Sequence, residues 1–225
     1  MNDHQKAFIS IRYFLVGAKM YLALEALEFA SGFHTGTRKD GVTPEFNHQI
    51  TISQYLRTMI NHLTYPEETL AATYLHDTPE DADVGHIEIV SKFGERIGKA
   101  VQLLTKKHRG NKKPIESYYQ EIATNEISSV VKGGDRIHNI QSMLGVFSPE
   151  KQKDYIRETR EHVLPMLKEA RRTFPKQEPV YENEKFVLKS QITLTEGILD
   201  AYGGYHQKLA GCPTGMALPT IPKTI

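Results

Sequence analysis

Apolar residues recur at three- and four-residue intervals along most of this chain, and the elements they predict are helices. Residues 6–31 carry Phe14, Leu15, Leu22, Leu24 and Leu27 and end near Ser31-Gly32, which predicts one buried helix. A polar, glycine-bearing loop follows over 33–47. The next helix, from about His48 to Leu63, sets Ile52, Tyr55, Leu56, Met59, Ile60 and Leu63 at helical spacing. Thr64 and Glu67 read as a capping box, with Pro66 in the first turn. The helix they start runs to His76-Asp77, where Pro79 disfavours helical geometry at Thr78. Asp83 is placed to cap a short helix stopping at Phe93-Gly94, and Ile97, Val101 and Leu104 stripe the one after it. Residues 106–113 form a basic loop containing no acid. Pro114 then opens a helix with Ile115, Tyr118, Tyr119 and Ile122, and residues 126–147 give another. Ser148-Pro149 caps a long helix through about Arg172. After a proline-bearing connection over 173–182, a last helix spans about 183–202, ends at Gly203-Gly204 and gives way to an irregular tail from Leu209. Strand patterns are nearly absent and no repeat occurs, so the fold class is all-α.

Composition narrows the functional classes. At 225 residues the chain fits one large domain or two small ones. Lys and Arg total 28 against 27 Asp and Glu, a net charge of +1 that argues against duplex nucleic acid or an anionic membrane as a global partner. A single cysteine, Cys212, excludes an internal disulfide and every multi-cysteine zinc motif. Ten histidines then suggest that any metal chemistry uses imidazole and carboxylate. The most apolar stretch, residues 13–30, is interrupted by Lys19, Glu25 and Glu28, too polar to span a bilayer. A cytoplasmic location is the expectation.

The informative residues are polar ones on apolar stripes. His48 lies four before Ile52, on the same helix face; His76 and Asp77 end a helix rich in Leu70, Ala71, Tyr74 and Leu75; Asp135 lies four after Val131. A buried carboxylate needs a partner. Gly133-Gly134 beside it is costly in a helix interior, about 1 kcal/mol each against alanine, so something approaches that backbone closely or the helix bends. Each residue has an ordinary reading alone: a core histidine, a helix cap, a pairing of Asp135 with Arg136 of a neighbouring turn or with a tyrosine. Together, two imidazoles and two carboxylates make a plausible first shell for a divalent ion with positions left open. Glu80 and Asp81, just beyond, could position or deprotonate an attacking water, or could simply be an acidic cap for the next helix.

The ordered set resembles the HD-domain hydrolases. It is His48, then His76-Asp77-Thr78-Pro79-Glu80-Asp81, then Asp135-Arg136-Ile137-His138-Asn139. Within that superfamily it resembles the guanosine tetra/pentaphosphate (alarmone) hydrolases of RelA/SpoT type. The further marks are Arg38-Lys39-Asp40-Gly41, Phe93-Gly94, Thr105-Lys106, Lys132 before Asp135, and Glu158-Thr159. The likeness covers roughly residues 20–170. It implies an HD helical bundle over 1–175, with 176–225 as a C-terminal helical extension and tail. It implies that His48, His76, Asp77 and Asp135 hold one divalent ion, Mn²⁺ in the family, though ligand chemistry alone also suits Fe, Zn or Co. It implies that Glu80 and Asp81 activate water, that Arg38 stacks on guanine with Lys39 beside it, and that Asn139 contacts the ribose. Lys106, Lys107 and Arg109 either grip phosphates or form a solvated basic loop.

The implied reaction removes the 3′-pyrophosphate of guanosine tetra/pentaphosphate, or of the adenosine analogue, to give GDP or GTP plus pyrophosphate in the guanosine case. About fifty residues follow the matching region, too few for a synthetase domain, so the expectation is a stand-alone small hydrolase. Alternatives are an HD phosphohydrolase acting on the NADPH 2′-phosphate or a deoxynucleotide, and a non-catalytic nucleotide- or protein-binding domain. A homo-oligomer and a functional pairing with an alarmone synthetase stay open. Three departures stand out. Gln49 replaces the family's proline, a change expected to affect the helix start more than the ligand; Gly133-Gly134 replaces bulkier residues, which suggests a wider pocket beside Asp135; and residues 183–225 match nothing in the family.

Overall fold

A computed structural model of the protein describes residues 1–82, 84–108 and 110–210, with side chains as far as Ala201. Asp83, Arg109 and the tail bearing Cys212 lie outside the described residues, so the expected cap at Asp83 is not addressed. The all-α class holds. Helices α1 (Asp3–Gly17), α2 (Tyr21–Ser31), α3 (Asn47–Arg57), α4 (Pro66–Leu75), α5 (Thr78–Asp81) and α6 (His86–Leu104) form the first half. A small hairpin of β1 (Lys107–His108) and β2 (Asn111–Lys112) is built from the expected basic loop. Then come α7 (Ile115–Ala123), α8 (Glu126–Met143), α9 (Pro149–Glu158), α10 (Leu164–Thr173) and α11 (Glu178–Ala210).

Helix α4 is the central rod. Every residue from Thr69 to Leu75 is buried, because α2, α3, α6 and α8 all pack against it. The expected helix over 6–31 is two helices. Lys19 takes a left-handed conformation (φ 59°) that turns the chain, a backbone choice that the apolar pattern running through it does not reveal. The capping box at Thr64 does not form. Glu67 instead caps α2 across the bundle, its Oε1 accepting the Leu22 N–H at 2.7 Å and the Ala23 N–H at 3.4 Å, while the Thr64 N–H donates to Gln177. Those amides are the free donors of the α2 first turn, and the carboxylate also meets the positive end of its dipole. Gly94 kinks α6 as its position predicts, with φ 82°.

Helix α8 is buried over most of its length and carries Asp135. Its two glycines answer to neighbours on both sides. A Cβ on Gly133 would stand 2.2 Å from Glu184 Oε2 of α11, and one on Gly134 would stand 2.9 Å from Ile52 Cγ2 of α3. The glycines therefore admit close packing and do not widen a pocket, which corrects that expectation. Helix α11 begins at Glu178, earlier than expected, and continues past Gly203-Gly204 to Ala210. The helix from Ser148 runs through a π-helical turn, Thr159–Val163, into α10. No described helix is long and apolar enough to cross a membrane.

Candidate metal centre

Three elements bring the His and Asp side chains together. His48 comes from the first turn of α3, His76 and Asp77 from the end of α4, and Asp135 from the middle of α8. His48 Nε2 lies 3.1 Å from Asp135 Oδ1 and 3.7 Å from Asp77 Oδ2; His76 Nε2 lies 3.1 Å from Asp77 Oδ2 and 3.9 Å from Asp135 Oδ1. The four atoms form a closed ring alternating nitrogen and oxygen. Neighbouring ligands on an ion with bonds of ~2.1 Å stand ~3.0–3.4 Å apart, so the ring closes onto one ion with little adjustment.

The electrostatics ask for positive charge. Burial pushes His76 down, but Asp77 and Asp135 more than reverse it and hold its pKa at about 9. Burial pushes Asp77 up, and His76 above all brings it to about 2. Asp135 is held well below its ordinary value against burial, first by Lys132, whose Nζ lies 2.7 Å from its Oδ2. The Nε2 of His76 is buried and meets only the carboxylates of Asp77 and Asp135, with no aligned hydrogen bond, as expected of a nitrogen reserved for an ion. The residues fit a divalent metal.

A second layer fixes these side chains. His48 Nδ1 meets His138 Nδ1 at 2.8 Å with both rings buried. Burial, then His48 and Arg38, lower His138 to about 3, so it is neutral. With His48 Nε2 given to an ion, the His48 proton sits on Nδ1 and donates to His138, which sets the tautomer. His138→Leu is expected to weaken Mn²⁺ binding about 10- to 100-fold in equilibrium dialysis, the usual cost of losing such a partner. Unchanged affinity would reduce His138 to a space filler. Asn139 Nδ2 donates to Asp135 Oδ1 at 2.6 Å, and Gln49 Nε2 reaches Asp77 Oδ2 at 3.5 Å. Gln49 thus bears on a candidate ligand and not on the helix start alone, contrary to expectation.

The centre opens into a cavity of about 620 Å³, also lined by Arg38, Lys39, Glu80, Asp81, Lys106 and Asn139. Lys107 is exposed on β1 and does not line it. Arg38 is steadied by Ser142 Oγ at 3.3 Å. Lys39 and Lys151 both lie over the Phe147 ring, at 5.0 and 4.2 Å from its centre. Lys151 had no sequence signal beyond being a lysine in an ordinary helix start. Glu80 Oε1 accepts the Lys106 backbone N–H at 2.7 Å. Asp81, raised to about 6 by burial and then by Asp77, Glu45 and Glu80, stands 3.7 Å from His34 Nδ1. Arg136, an expected partner for a buried acid, turns away from Asp135. Its Nη2 donates to Glu158 Oε1 and to the Tyr119 hydroxyl, both at 2.9 Å, and Lys106 Nζ joins the same carboxylate at 3.2 Å.

A helical bundle with a histidine, a His-Asp pair and a distant aspartate closing on one point defines a class. The family described as "HD domain" matches residues 26–163, and the chain belongs to it. Membership implies a bound divalent metal ion. Among curated relatives, the guanosine-3′,5′-bis(diphosphate) 3′-pyrophosphohydrolase of Aquifex aeolicus is 35% identical over 146 residues, 63% of this chain and 20% of that protein. The GTP pyrophosphokinase rsh of Brucella melitensis is 31% identical over 150 residues, 63% of this chain and 19% of that protein. The chain thus spans about a fifth of the length of these relatives. Among solved structures, a metazoan ortholog of SpoT, described as hydrolysing ppGpp, superposes with a TM-score of 0.56 at 22% identity. That match covers 72% of this chain and 94% of the other.

Proposed function

We propose that this protein is a metal-dependent hydrolase, served by Mn²⁺, that removes the 3′-pyrophosphate of guanosine tetra- or pentaphosphate in the cytosol. The observation that carries the reading is the four-atom ring opening beside Glu80, Asp81 and Arg38 in one cavity. The similarity to a named 3′-pyrophosphohydrolase supports the choice of substrate. When bound, the ion polarises the phosphoryl group and makes water a better nucleophile.

The chain's own groups divide the remaining work. His48, His76, Asp77 and Asp135 hold the ion, with His138, Asn139, Gln49 and Lys132 keeping them in place. Asp81, with its pKa near 6, is matched to accept a proton from water near neutral pH. Glu80, tied to the Lys106 amide, fixes the water's position and anchors the loop after α6. Arg38 offers a planar cation to the base, and Lys39 and Lys106 offset phosphate charge. The hydrolase removes what a synthetase makes, so its activity would oppose a GTP pyrophosphokinase in the same cell.

The test is direct. Purified protein with Mn²⁺ and guanosine tetraphosphate is expected to release pyrophosphate and GDP, resolved by ion-exchange chromatography. Intact nucleotide at stoichiometric enzyme would overturn the reading. The same assay on NADPH and deoxynucleoside triphosphates decides between this substrate and its competitors.

A further inference from the structure

We propose that His34, Glu45 and Asp81 form a second divalent-cation site beside the first. One donor atom from each lies within 4.8 Å of the other two. His34 is 4% exposed, yet its Nε2 has no hydrogen-bond partner. Its Nδ1 stops 3.7 Å from Asp81 Oδ2, outside hydrogen-bonding range. Neither ring nitrogen of this buried imidazole has a hydrogen bond, which is costly, and a cation drawn between Nδ1 and the two carboxylates would give that nitrogen a partner.

The surrounding structure fixes the donors. The His34 ring stacks against Phe46, with ring centres 6.1 Å apart and planes 20° apart. The chain between His34 and Glu45 is closed on itself: the Glu45 N–H donates to Gly36 O at 2.9 Å, the Arg38 N–H to Thr43 O at 2.8 Å, and Thr37 bridges Pro44. Glu45 and Asp81 line the cavity of the first centre, with His34 buried beside them. Two carboxylates and one neutral imidazole suit a hard or borderline divalent ion such as Mn²⁺ or Mg²⁺, with open positions toward the cavity. With that ion bound, Asp81 is a ligand and not a free base, so its proton-accepting role belongs to the chain that holds only the first ion. The ion-binding inference holds whatever nucleotide is the substrate.

Ion counting tests it on the full chain, stripped with a chelator and dialysed against saturating Mn²⁺, by elemental analysis with electron paramagnetic resonance for coupled pairs. Wild type is expected to hold two ions per chain with a coupled spectrum. Glu45→Gln, His34→Gln and His76→Ala are each expected to hold one, with the coupling lost. One ion in wild type that survives Glu45→Gln and disappears in His76→Ala would overturn the second site. So would two ions retained in both the Glu45 and His34 variants. One ion kept in His76→Ala but lost in Glu45→Gln would keep this site and overturn the ligand assignment of the first. Glu45 is partly exposed, so its variant carries the test should the buried His34 change prevent folding.

Discussion

His76→Ala is expected to lower pyrophosphate release by about 10³-fold or more while leaving the far-ultraviolet circular dichroism unchanged. The factor follows from losing an ion worth several kcal/mol to a phosphoryl transition state, at about 1.4 kcal/mol per decade. His76 is chosen because its Nε2 meets only Asp77 and Asp135, themselves candidate ligands, so the variant disturbs little outside the ring. Its Nδ1 bonds only to the Thr73 carbonyl, at 2.8 Å, at the end of its own helix. A variant retaining more than a tenth of wild-type turnover would show that the ring of four donors is not the reacting centre. Asp135→Ala would be a poorer probe, because it also strands Lys132 and Asn139.

The second large effect concerns stability. Gly133→Ala is expected to lower the melting temperature by several degrees, although alanine is the better helix former. The new Cβ would stand 2.2 Å from Glu184 Oε2 and 2.4 Å from its Cδ, so the carboxyl of the fully buried Glu184 must shift within the core to admit it. Overpacking of this kind costs about 1–3 kcal/mol, which outweighs the ~1 kcal/mol gained in helix propensity. Glu184→Ala in the same chain is expected to restore the loss, and an undiminished melting temperature in the single variant would refute the notch.

Glu184 itself adds a pH dependence. Burial pushes its pKa well above the ordinary value, and neither carboxylate oxygen has a hydrogen-bond partner. The folded chain therefore keeps this proton at pH values where the unfolded chain has lost it. Its contribution is most favourable below the unfolded glutamate pKa and declines above it, by about 1.4 kcal/mol per pH unit until the folded group ionises. Glu184→Gln should accordingly raise the melting temperature more at pH 8 than at pH 5. Equal shifts at both would mean that the group is charged in the fold.

Much of this architecture is legible in the sequence because burial and chemistry conflict at a few positions. His48, His76 and Asp135 sit on apolar stripes where only a ligand or a bonded polar group belongs, and the structure brings all three to one point. Gly94 announces its kink because few residues tolerate its backbone angle. What escapes is long-range pairing. Periodicity shows that Glu67 opens a helix but not that its carboxylate reaches across to cap α2. It shows two glycines in α8 but not that Glu184, fifty residues on, fills one of the gaps. Lys19 turns the chain with an angle usually left to glycine. Gln49 stands out as a departure without its contact to Asp77 being readable, and His34 carries no signal of its own, since Asp81 comes from the short α5 far along the chain.

The charge lining the cavity favours an order of events. In the cation-free protein Asp40, Glu45, Asp77, Glu80, Asp81 and Asp135 face Arg38, Lys39, Lys106, Lys132 and a protonated His76 there, six acids against five cations. The cavity of the cation-free protein is therefore slightly negative, and a divalent ion that replaces the His76 proton turns it toward balance and favours a polyanion. On the proposed function, an ion loaded first would prepare the cavity for the nucleotide. Because pyrophosphate groups also chelate divalent ions, nucleotide in excess of free metal would then compete with the protein for the ion and slow its own turnover.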